Sequence, residues 1–147
     1  MSPSLAGFTT FVQSSMGIPV AALPSTSPDI AFNYNLALEI VNMNMAAASS
    51  TVYTLAVYNL AGDYLINFAS DQLGQSFFTD IRASFGINSF VPGVISESHD
   101  ATTGQALLNP DFMRELSMSN LQNLKTPYGR QYLAFAQMMG PTVWGLI

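Results

Sequence analysis

Residues 50–69, STVYTLAVYNLAGDYLINFA, constrain this chain more than any other stretch, because they read as one continuous apolar helix. Ser49 or Ser50 supplies a hydroxyl that can cap the first turn, and no proline follows to interrupt it. Val52, Tyr53, Leu55, Ala56, Val57, Tyr58, Leu60, Ala61, Tyr64, Leu65, Ile66 and Phe68 spread around nearly the whole circumference. That pattern predicts a helix buried among others, since a surface helix confines its apolar residues to one stripe. The exception is the row Asn59, Asp63, Asn67, stacked on one side by its spacing of four, with Gly62 beside it where another backbone can come close. The row faces either water or a neighbour. An ordinary solvent stripe is the plainer expectation, and a subunit interface or a lumen is the functional one.

A membrane span is rejected for this region, although no charged residue lies between Glu39 and Asp63. Asn42, Asn44, Ser49, Ser50, Thr51 and Asn59 break the run, a cap signal divides it, and no Lys or Arg flanks it. The 147 residues are expected to make one domain, 1–147, with a sizeable core. Only four Lys or Arg and nine Asp or Glu are present, so 9% of the chain is charged, against about a quarter in ordinary domains. A surface so poor in charge is expected to be covered by other protein, which points to an oligomer or a component of an assembly. The acidic balance, with no Lys or Arg before Arg82, disfavours a phosphate-binding patch and hence direct nucleic-acid binding. No cysteine is present to make a disulfide framework or a thiolate metal site. The start, MSPSLAGFTTF, lacks the cationic and apolar regions of a signal peptide, so a cytoplasmic site of synthesis is expected.

Around the central helix, residues 4–16 carry Leu5, Phe8, Phe11, Val12 and Met16 at helical intervals and stop at Gly17 and Pro19. Residues 18–27 read as a proline-rich linker. Ser27-Pro28-Asp29 opens a second helix, expected to run to about Ala46 and to pair antiparallel with the central one through Ile30, Tyr34, Ala37, Leu38, Val41 and Met45. Leu73, Phe77, Phe78, Ile81 and Phe85 predict another helix with Gly86 as its stop. Residues 88–109 change to a long loop or loose hairpin, with short strands about Thr102 and Thr103. Asn109-Pro110-Asp111 and Thr126-Pro127-Tyr128 repeat the helix-start signal, the latter opening a helix that ends at Gly140-Pro141. The fold class is therefore all-α, a small helical bundle around a central buried helix.

A search for chemistry returns few leads. His99 lies between Ser98 and Asp100, but neighbours in an extended segment point to alternate sides and cannot converge as a triad. Glu97, His99 and Asp100 lack the paired helical spacing of a metal site, and no glycine-rich phosphate loop is present. No catalytic, cofactor or metal residue is assigned, and the Met and Phe residues read as core filler. Trp144, Leu146 and Ile147 form an apolar tip after a Gly-Pro break, which either folds back on the core or enters a partner's groove.

Taken in order, FTTFVQSSMGIP, YNLALEIVN, YTLAVYNLAGDYLINFA, VISESHDATTG and, above all, TPYGRQYLAFAQ resemble the head–tail adaptor (head-completion or connector) proteins of tailed bacteriophages. The resemblance implies a ring, usually of twelve copies, seated between the portal protein and a tail or neck protein in the virion, with DNA passing through unbound. It accounts for the sparse charge, and an acidic channel would let DNA slide. It also implies docking through the segment 88–109, which holds Glu97, His99 and Asp100, and through 142–147, which holds Trp144, Leu146 and Ile147. Two alternatives stand beside it: another helical self-assembling scaffold or coat protein, and a small metal-dependent hydrolase using His99 with Glu97 and Asp100.

Overall fold

The computed structural model describes residues 2–88, 97–99, 104–106 and 122–139. The first helix, α1 (Leu5–Ser14), is capped by the Ser4 hydroxyl, which accepts from the Gly7 amide at 3.1 Å. The following segment departs from a plain linker, because Ile18, Ala22 and Leu23 are buried in the core. α2 (Pro28–Ile40) starts at Ser27 with proline in its first turn, as its signal requires. It does not reach Ala46. Val41 is extended (φ −69°, ψ 124°), and a separate short helix, α3 (Asn44–Ala48), follows. The break has a local cause: the Asn42 side chain accepts from the Asn44 amide at 2.9 Å, offering the backbone an alternative to helix.

Next comes α4 (Ser50–Phe68), capped by Ser49, whose hydroxyl accepts from Val52 N at 3.3 Å. α5 (Phe77–Phe85) begins where Asp71 reaches across to accept from the amides of Phe78 and Thr79 at 2.6 and 3.0 Å. It ends at Gly86, whose φ of +64° is left-handed and favours glycine. Arg82 on α5 donates from Nε to the Ile66 carbonyl at 2.7 Å and also to the Ala69 carbonyl, tying this helix to the free carbonyls at the end of α4. Two strands, β1 (Glu97–His99) and β2 (Gly104–Ala106), pair antiparallel with Ser98 opposite Gln105. The rest of 88–109 lies largely outside the described residues, as do most of the proposed helix after Pro110 and the whole of 142–147. The last described helix is α6 (Pro127–Met138).

The chain is mainly α, with its helices packed together, and α4 is the centre. Leu60, Leu65, Ala56, Val57, Ala61 and Ile66 on α4 have no exposed surface. Burying one such Leu or Ile contributes about 1.5–3 kcal/mol. Tyr58 packs at 5.7–5.8 Å against Phe8 and Phe11 of α1 with its ring tilted by 42° to each, and its hydroxyl accepts from Ser4 N at 3.1 Å. Gly62 does admit a close neighbour, but side chains fill the place where a backbone was expected: a Cβ there would stand 3.0 Å from the Met16 sulfur. α6 and α2 cover the remaining sides of α4, so a helix read as surrounded is surrounded. Among the described residues no helix is long and apolar enough to cross a membrane.

Candidate binding site between α4 and α6

The polar row on α4 is where expectation and structure part most clearly. Asn59 is 6% exposed and Asp63 is 0% exposed, so neither is on a solvent stripe, a lumen wall or a free subunit face. The chain's own α6 lies over α4, bringing the completely buried Thr126 at its N-cap to Asp63. Asn67 remains partly exposed at the edge.

Each member of the row is held by a distinct set of bonds. Asn59 and Asn67 turn their amides back along the helix, Nδ2 donating at 2.8 Å to the carbonyls of Leu55 and Asp63 respectively. The Thr126 hydroxyl donates to Asp63 Oδ1 and accepts from the Gly129 amide at 2.9 Å. One hydroxyl thus joins the carboxyl group of α4 to the first turn of α6 and satisfies one of that helix's free amides. The geometry depends on Gly129, because a Cβ there would lie 2.1 Å from the Asn123 carbonyl oxygen. TPYG is therefore a docking element: threonine caps and bridges, proline starts the turn, and glycine allows the preceding backbone to lie against the helix.

Among the described residues, the second oxygen of Asp63, Oδ2, has no hydrogen-bond partner, and neither does Asn67 Oδ1. Burial pushes the Asp63 carboxyl up to about 6 from its ordinary value, against the opposing pull of the Thr126 hydroxyl and the Asn67 side chain. Beside it the Tyr64 phenol is pushed up to about 12, first by burial and then by Tyr132 and Asp63. These groups border a cleft of about 180 Å³ lined by Asp63, Tyr64, Asn67, Phe68, Gln122 and Asn123. Its accessible lining is mostly apolar, with the unpartnered oxygens of Asp63 and Asn67 buried behind it.

The other expected sites stand apart from it. Glu97 and His99 lie on β1, opposite Ala106 and Gly104 in the ladder, while Asp100, Trp144, Leu146 and Ile147 lie outside the described residues. No cluster of three metal-ligating side chains occurs among the described residues. Sequence reasoning found Asp63 and Asn67 but missed Thr126, Gln122 and Asn123, which are distant along the chain. A threonine N-cap followed by Pro-x-Gly was visible, yet nothing in it named Asp63 as the group it would meet. No family model matches the chain, and no curated protein or solved structure was found to be similar to it.

Proposed function

We propose that this protein is a structural subunit of the head–tail adaptor type, closing a ring beneath a phage portal and passing DNA into the tail. The observation that carries the reading is the pairing of sparse charge with uncovered apolar side chains. Only 9% of residues are charged, while Phe32, Met43, Phe68, Leu73 and Met138, drawn from different elements, are all exposed. Single exposed apolar residues are ordinary, but a surface with few charges to keep it dispersed favours burial against other subunits. Contacts of this kind between unlike faces generate rings when the rotation closes. A formal net charge of −5 suits a channel that repels phosphate. The sequence resemblance supplies the specific assembly.

Light scattering after gel filtration, with negative-stain imaging of the same fractions, tests the proposal. A closed ring of about a dozen subunits is expected. A filament or dimer favours the scaffold or coat reading, and a monomer that also fails to bind isolated portal assemblies refutes the adaptor assignment.

A further inference from the structure

Asp63 is an acid sealed beneath a helix. Its side chain has no exposed surface, and Oδ2, the oxygen that Thr126 leaves free, has neither contact with solvent nor a partner among the described residues. A carboxylate in such a place bears an uncompensated desolvation cost, because water and counter-ion are both shut out. Two events relieve it: the group takes up a proton, or the cover lifts and water reaches the oxygen. The cover is α6 with its cap. Thr126, itself completely buried, donates to Asp63 and accepts from the Gly129 amide, so the first turn of α6 is fastened to the carboxyl group. Farther along, Tyr132, Leu133 and Ala136 are buried. Among the described elements α6 rests chiefly on α4, while α1, α2 and α3 reach α4 through contacts of their own. A helix with one main packing partner can lift without dismantling the others, at less than the global cost of unfolding.

We propose that α6 is a proton-sensitive latch, closed over α4 while the Asp63 carboxyl is protonated and released more often once the group ionises and Oδ2 calls for water. The direction rests on which effect is larger. The Thr126 hydroxyl and the Asn67 side chain favour the carboxylate, but burial outweighs both and carries the pKa from 3.8 to about 6. Docking therefore favours the protonated form: it is strongest below about pH 4 and weakens as the pH rises through 6. No charged group alters this balance. α6 presents the phenols of Tyr128 and Tyr132, and α4 itself that of Tyr64, all raised by burial and neutral throughout this range. Arg130 on α6 donates to the Leu124 carbonyl, Lys125 just before it to the Ile87 carbonyl, and Arg82 on α5 to the Ile66 and Ala69 carbonyls. Asp29, Tyr34 and Glu39 on α2 do not act on Asp63, and α1 carries no titratable side chain. The latch is independent of the ring assignment and survives its failure.

Hydrogen exchange of the intact chain at pH 4 and pH 7.5, with each rate corrected for the intrinsic effect of pH, tests it. Opening of α6 should be about 60-fold commoner at the higher pH, the linkage factor for a carboxyl carried from 3.8 to about 6, and the protection of its amides should fall by that factor. Asp63→Asn should show no such fall. The opening should also be local: at pH 7.5, exchange in α6 should be insensitive to low urea, since little surface is uncovered, while exchange in α2 accelerates with it. The wild-type series needs no variant, so it decides the matter even where Asp63→Asn fails to fold. Unchanged protection of α6 between the two pH values, an equal fall in Asp63→Asn, or exchange in α6 that follows urea as α2 does overturns the proposal.

Discussion

Replacing Asp63 by Asn should make the protein more stable at neutral pH and leave it nearly unchanged in acid. The carboxyl is raised from 3.8 to about 6 in the folded chain, chiefly by burial. At about 1.36 kcal/mol per tenfold change in proton affinity, ionising it in place costs about 3 kcal/mol relative to ionising it in the unfolded chain. The sign follows from the direction of the shift. A folded-state pKa above the unfolded one means that folding favours the protonated form. The stability this group contributes is complete below about pH 4 and is lost as the pH rises through 6. Asn keeps the shape and the Oδ1 acceptor for Thr126 while removing the charge, and its amide places donors where Oδ2 lacks a partner.

Urea denaturation followed by circular dichroism at pH 4 and pH 7.5, on both proteins, measures this directly. The difference in unfolding free energy, variant minus wild type, should grow by about 2.4 kcal/mol between the two pH values, since at pH 4 the unfolded carboxyl is already more than half ionised. Taking the difference cancels other carboxylates, including the exposed Asp71. That group is held below its usual range, first by the Thr79 hydroxyl and then by the amides of Phe78 and Thr79, and so shifts stability in the opposite sense. A constant difference, or a variant that loses stability relative to wild type as the pH rises, would refute the reasoning.

Three further outcomes follow from the same packing. Gly129→Ala should destabilise the fold by about 1–3 kcal/mol or more, because the new methyl group meets backbone that cannot rotate away; thermal melting measures it. Thr126→Ala should cost about 1–2 kcal/mol through the lost cap, and Thr126→Ser should restore most of it, a rescue that a purely steric role would not give. Leu73→Ser and Phe32→Ser, at exposed positions, should leave the melting temperature nearly unchanged while lowering the native mass, if these side chains join subunits.

Much of the architecture was legible from punctuation and period. Serine before proline started α2, threonine before proline started α6, glycine stopped α5, and an apolar circumference marked α4 as the buried helix. These are local effects, set by caps, fixed φ angles and side-chain spacing within a few residues, so a linear reading can recover them. The break after Ile40 was also local, but Asn42 gives no stronger signal than the other polar residues around it until its side chain is seen bonding Asn44.

The candidate site followed a different rule. Sequence placed Asn59, Asp63 and Asn67 on one side of α4 and left open what that side would face; periodicity favoured water, as for most polar stripes. The packing of α6 decided otherwise, covering Asp63 with a threonine 63 residues away along the chain. A helical period fixes which residues share a face, whereas the burial of that face depends on which distant segment comes to rest on it. Sequence therefore determined a mainly α chain built on one central helix with a polar row, and tertiary structure alone turned that row into a buried carboxyl bonded through one oxygen to the cap of α6.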